Sequence, residues 1–119
     1  PVSDKVIMDT LPKVQLVGRF QYLHRHPDII LDVAHNPQAA ESLFDNLIEL
    51  RKKLPKQGRL IAVFSMLADK DIHAVVGVLL RVFDCWHIGQ INHPRSVKLD
   101  DLARIMQGCG VTTEVQRHP

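Results

Sequence analysis

The sequence predicts an α/β fold with a mostly parallel sheet, and three observations carry that prediction. Short apolar, β-branched runs at 29–33, 60–64 and 82–88 alternate with longer amphipathic segments at 37–53, 72–80 and 99–107. The links between them are short, and each run ends in a polar strand-to-helix junction. Alternation of this kind gives parallel strands joined by right-handed crossover helices.

Taken in order, residues 1–18 read as an entry segment, with Val6-Ile7-Met8 and Leu11-Pro12 available to pack on the domain or hang from a preceding one. Gly18 to Leu23 alternates polar and apolar residues, as a half-buried strand does. His24 to Asp28, with Pro27, is a turn, and His24 and His26 read as loop surface. Ile29 to Val33 reads as a buried strand ending in Ala34-His35-Asn36-Pro37. Asn36 is a good N-cap, and Pro37 suits the first helical position, where its missing N–H costs nothing.

The helix that follows runs to about Lys53, with Ala40, Leu43, Leu47, Leu50 and Leu54 sharing a face and Arg51, Lys52 and Lys53 in the last turn. Leu60 to Phe64 reads as a strand buried on both faces. A second helix places Ile72, Val75, Val76, Leu79 and Leu80 together. Val82 to Ile88 is a third buried run, in which Trp86, His87 and Cys85 read as strand or core residues. A third helix from about Leu99 to Gln107 ends at Gly108 and Gly110, and Val111 to Val115 is the last strand.

Composition bounds the function. At 119 residues the chain has room for one core. A net charge of +2 is too slight to argue for a nucleic-acid or membrane partner. Cys85 and Cys109 read as free thiols of a reducing, cytoplasmic compartment. No apolar leader opens the chain and no run reaches membrane-spanning length, while the missing initiator Met marks an expected piece of something longer.

The loops at 32–36, 65–71 and 89–95 all follow strands, so all three are expected along one edge of the sheet, where ligands of open α/β folds bind. They carry Asp32, His35, Asn36, Ser65, Asp69, Lys70, Asp71, Asn92, His93 and Arg95. The helix start after Asn36 favours an anion such as a phosphate. No Gly-x-Gly-x-x-Gly, no P-loop and no zinc-spaced Cys/His cluster is present, so no metal site is expected in this stretch.

Leu11-Pro12, Gly18-Arg19-Phe20-Gln21 and Asp32-Val33-Ala34-His35-Asn36-Pro37 together resemble the bacterial folylpolyglutamate synthase/dihydrofolate synthase family, within the Mur ligase group of ATP-dependent amide-forming enzymes. Met66-Leu67, Asp69-Lys70-Asp71-Ile72 and Pro94-Arg95 follow in the same order. The resemblance covers residues 11–105 and implies a Rossmann-like, three-layer C-terminal domain with helices on both faces. It implies that ATP phosphorylates a dihydropteroate or folate glutamyl carboxylate and that glutamate displaces the phosphate. It also implies a preceding ATPase domain holding the P-loop and magnesium, and a monomeric parent.

Carried over by position, Arg19 and Asp32 match ATP-contacting residues, and His35 is placed to face the phosphates. Asp69, Lys70 and Arg95 fall on the substrate side. Two departures stand out. Lys13 to Val17 intervenes where the family runs directly from Leu-Pro to Gly-Arg-Phe, and the chain stops before the family's final strands, which would leave an unpaired sheet edge.

Each residue also has a plainer reading. Arg19 alone is a surface or ion-paired arginine, Asp32 a turn cap, His35 a hydrogen-bonded turn residue, and Asn36-Pro37 a structural cap. Asp69-Lys70-Asp71 is a solvated turn with Asp71 as N-cap, and Arg95 meets either a glutamate carboxylate or a backbone carbonyl. The competing functions are a Mur-type ligase of cell-wall synthesis, a non-catalytic α/β interaction domain, and a metal-dependent hydrolase using Asp32, His35, Asp69 and Asp71.

Overall fold

The structure, a computed structural model, describes residues 18–119. They belong to two compact units, one ending at Val33 and the other running from Ala34 to Pro119. The sequence features at Leu11-Pro12 and 13–17 lie outside the described residues.

In the first unit, β1 (Gln21–His24) and β2 (Ile29–Leu31) form an antiparallel hairpin with Gln21 opposite Leu31 and Tyr22 opposite Ile30. The connecting turn contains the cis His26–Pro27 peptide, and the Arg25 guanidinium lies 3.6 Å over the Tyr22 ring. This corrects the expectation of a buried strand over 29–33. The strand is three residues long, and Ile29 and Leu31 are exposed. The Pro27 turn folds the run back on its own neighbour, so its hydrogen bonds are satisfied locally.

The second unit is built from α1 (Pro37–Lys53), β3 (Ile61–Phe64), α2 (Ile72–Leu79), β4 (Cys85–Gly89), α3 (Leu99–Gly108) and β5 (Glu114–His118). The strands form one parallel sheet in the order β3-β4-β5, with Ala62 beside Trp86 and Trp86 beside Val115. Sequential order with right-handed crossovers places α2 and α3 on the same face. Helix α1 packs on α2, α2 on α3, and α3 on β4 and β5.

The core lies under those helices. Trp86 and Ile88 of β4 are fully buried with Val75 and Val76 of α2 and Leu102 of α3. Phe64 and Phe83 meet the Trp86 ring edge-on at centroid distances of 5.5 and 4.9 Å.

The α/β class with a parallel sheet therefore holds, with one difference. Ile61, Val63 and His87 alternate onto the opposite face, where Val63 is 89% exposed. Among the described residues no helical layer covers that face, so the run 60–64 is buried on one side only. Two boundaries also move. Residues 82–84 form a tight link before β4, because the Val82 N–H bonds Leu79 O and the Asp84 carboxylate turns back to Leu60. Strand β5 begins at Glu114 because Val111 still bonds Met106 O at the end of α3.

Both cysteines are free, Cys85 in the core and Cys109 partly covered after α3. Among the described residues no helix is long and apolar enough to cross a membrane.

Candidate functional site

In the first unit a tight turn at Gly18 to Phe20 is hydrogen-bonded to the stretch that carries Asp32. Gly18 and Phe20 both take positive φ, +74° and +43°, which glycine accepts and phenylalanine adopts only at a cost of about 1–2 kcal/mol. The cost is offset by three bonds that lock the turn. The Phe20 N–H donates to Asp32 Oδ2 at 2.9 Å, the Val33 N–H to Gly18 O at 2.7 Å, and the Gly18 N–H to Gln21 Oε1 at 2.9 Å. Arg19 is thereby held beside the stretch that carries Asp32. Sequence reasoning paired these two residues only by resemblance; the strained turn between them was not legible in it.

In the second unit the polar loops gather at the carboxyl ends of β3 and β4. The loop after β3 and the loop after β4 are zipped to each other: Ala68 N–H donates to Arg95 O at 2.7 Å, and Val97 N–H to Met66 O at 3.1 Å. Across that zip the Arg95 guanidinium reaches Asp69 Oδ2 at 3.2 Å. Arg95 therefore meets a side-chain carboxylate, a partner outside both expected readings. Buried Ser96 tightens the second loop by accepting the Ile91 N–H at 3.0 Å. Asn92, His93 and Lys98 line a cleft of about 910 Å³ between that loop and the start of α3.

The caps fall where the sequence placed them. Asn36 Oδ1 accepts the Ala39 N–H at 2.8 Å with Pro37 in the first helical turn, and Asp71 Oδ1 accepts the Ala74 N–H at 3.1 Å. With Asp69 on Arg95 and Asp71 capping α2, Lys70 is the member of the triplet whose ammonium has no hydrogen bond or ion pair among the described residues.

The expectation that three loops share one sheet edge is corrected. Loops 65–71 and 89–95 leave adjacent parallel strands, whereas 32–36 follows β2, which belongs to the antiparallel hairpin. Among the described residues no three His, Cys, Asp or Glu side chains are grouped to hold a metal.

One polar centre escaped the sequence reading. The Asp84 carboxylate accepts the Leu60 N–H at 2.7 Å and pairs with Arg51 at 3.2 Å, while Arg51 also donates to Val82 O. The Leu60 amide, then the Arg51 guanidinium, hold the Asp84 carboxyl below its ordinary range, against the opposing effect of burial. Its role is to join α1, β3 and β4.

The comparisons with known proteins agree with this architecture. The family model described as Mur ligase, glutamate ligase domain matches residues 18–119. The dihydrofolate synthase/folylpolyglutamate synthase of Escherichia coli K12 is 42% identical over 101 residues, covering 85% of this chain and 23% of its own length. That of Haemophilus influenzae is 33% identical over 117 residues, covering 85% of this chain and 26% of its own. Among solved structures, E. coli FolC in complex with DHPP and ADP superposes with a TM-score of 0.79 at 36% identity, covering 99% of this chain and 26% of that one. The bifunctional Yersinia pestis enzyme complexed with AMPPNP and Mn ion gives 0.78 at 34% identity, with the same coverage. The chain spans about a quarter of the length of these relatives.

Proposed function

The chain belongs to the Mur ligase glutamate ligase domain family, and from that premise we propose that it supplies the C-terminal part of an ATP-dependent ligase joining L-glutamate to dihydropteroate, to folate glutamyl tails, or to both. In this reading the substrate carboxylate takes the γ-phosphoryl group of ATP. The glutamate amine attacks the acyl phosphate, an amide forms, and ADP and phosphate leave. The whole protein works as a cytoplasmic monomer whose preceding ATPase domain holds the magnesium. Positioning and electrostatics supply most of the rate.

The observation that carries this reading is the locked turn at 18–20, in which the residue next to Arg19, Phe20, donates its N–H to Asp32. A planar guanidinium can fork onto phosphate oxygens, and a carboxylate can accept from ribose hydroxyls. The Phe20 N–H bond at 2.9 Å orients the Asp32 carboxylate on the turn. His35 faces the phosphates from the start of α1. At the carboxyl edge of the sheet, Asp69 and Arg95 brace the turn, and Lys70 meets the carboxylate of the incoming amino acid.

The test is glutamate-dependent ADP release by the full-length protein, intact and as Asp32→Ala, with dihydropteroate and with tetrahydrofolate. The intact protein turns over, and Asp32→Ala is at least about tenfold slower, roughly 1.4 kcal/mol on the barrier. An intact protein inert with both folates refutes the ligase reading. An Asp32→Ala variant of full activity returns Asp32 to the role of a turn residue.

A further inference from the structure

The turn after β3 places a lysine between two aspartates, and each aspartate is engaged away from it. Asp71 Oδ1 accepts the Ala74 N–H at 3.1 Å as the cap of α2. Asp69 Oδ2 meets the Arg95 guanidinium at 3.2 Å, from the loop after β4. The half-buried Lys70 between them has no hydrogen bond or ion pair among the described residues.

The backbone fixes both sides of this arrangement. Lys70 N–H donates to Leu67 O at 3.2 Å, and Lys70 O accepts the Ile72 N–H at 2.9 Å, which sets the place of the lysine in the turn. Arg95 O accepts the Ala68 N–H at 2.7 Å, Arg95 N–H donates to His93 Nδ1 at 3.0 Å, and the next residue, Ser96, pairs with Leu67. The zip between the loops therefore carries Arg95 to Asp69.

Resting on the ligase reading and on the place it gives Lys70, we propose that Arg95 is a positioning residue for substrate capture: it engages Asp69 and so leaves the Lys70 ammonium to the carboxylate of the incoming amino acid. A lysine ammonium is a compact charge on a flexible stem, which turns toward whichever anion is nearest. Asp69 is its neighbour in sequence and is exposed. Without Arg95, two carboxylates stand against one ammonium, and the turn repels an anionic amino acid over about 8–10 Å. With Arg95 in place the charges of the turn balance. Exposed ion pairs of this kind add little to stability, so the effect falls on substrate affinity rather than on folding.

Steady-state kinetics of glutamate-dependent ADP release by the full-length protein test this in Arg95→Met, in Arg95→Met with Asp69→Asn, and in Lys70→Met. In Arg95→Met the KM for glutamate rises at least about fivefold while the KM for ATP stays within about twofold. Adding Asp69→Asn removes the competing carboxylate and brings the KM for glutamate back to within about twofold of the intact value. A double variant as impaired as Arg95→Met overturns the proposal, because a direct grip on the substrate or a mechanical brace is lost equally in both. An unchanged KM in Arg95→Met overturns it too. Lys70→Met with an unchanged KM for glutamate removes the lysine from the site and the proposal with it, whereas an intact protein that releases no ADP with either folate refutes the ligase reading itself. Asp69 and Arg95 are exposed, so their variants fold, and near-ultraviolet dichroism of Trp86 checks each one.

Discussion

Removing the Asp84 carboxylate tests whether one polar centre ties the start of β3 to the start of β4. Leu60 is 8% exposed, so its amide has little water to turn to once Asp84→Ala deletes its acceptor. A hydrogen bond to a charged group contributes about 1.5–3 kcal/mol. The Arg51 pair, with side chains 37% and 35% exposed, adds at most about 1 kcal/mol. The expected loss is therefore about 2–3 kcal/mol, or about 10–20 °C in Tm for a domain of this size. Asp84→Asn keeps an acceptor for Leu60 and loses only the charge, so it falls by about 1 kcal/mol. The sign with pH follows from the lowered native pKa. Stability from the charge is present above the ordinary value of 3.8 and is lost as pH falls through the lower native value. The intact protein must therefore lose more stability below about pH 4 than Asp84→Asn does. Urea unfolding followed by Trp86 fluorescence between pH 7 and pH 2.5 reads both effects. An Asp84→Ala variant within about 0.5 kcal/mol of the intact protein would refute the argument.

Three further substitutions separate core, turn and surface. Leu102 is fully buried, so Leu102→Ala leaves a cavity and costs about 2–5 kcal/mol in chemical denaturation. Gly110 sits at φ +89° with open space where a Cβ would stand, so Gly110→Ala costs about 1 kcal/mol from backbone strain alone; a neutral result would show that the turn relaxes. The Arg95–Asp69 pair is 62% and 49% exposed, and a double-mutant cycle with Arg95→Met and Asp69→Asn should couple by less than about 1 kcal/mol. A larger coupling would mean that the pair, rather than the backbone zip beside it, holds the two loops.

What the sequence made legible was whatever is written locally. Asn36 and Asp71 bond the amides that an N-cap bonds, and α1 runs from Pro37 to Lys53 because Pro37 opens it and Pro55 follows it. The apolar stripe of α2 is buried as its three-and-four spacing requires. What was not legible depends on partners far apart in the chain. Asp84 falls inside the run that reads as a third strand, yet its acceptor role depends on Leu60, 24 residues earlier. His87 was read as a strand residue, and only the register of β4 against β5 sets it beside His118, 31 residues later. The Arg95–Asp69 pair likewise spans two loops whose meeting follows from sheet order.

The most instructive error is β2. Ile29-Ile30-Leu31 and Ile61-Ala62-Val63-Phe64 are alike in composition, and both were read as interior strands. Periodicity cannot separate them, because an apolar run states that a strand has something to bury but not which edge it pairs with. The segment before each run decides. Ile29 follows a Pro27 turn that returns the chain onto Gln21–His24, giving an antiparallel hairpin. Ile61 follows a long helix and precedes another, giving a parallel strand beside β4. The same reasoning explains the face carrying Val63. Crossovers in the order β3-β4-β5 keep turning in one direction, so each helix returns over the face already covered. Covering both faces requires the strand order to reverse somewhere, and among the described strands it never does. The two crossover helices on one side, and the face left open among the described residues, are thus the consequence of strand order rather than of residue type.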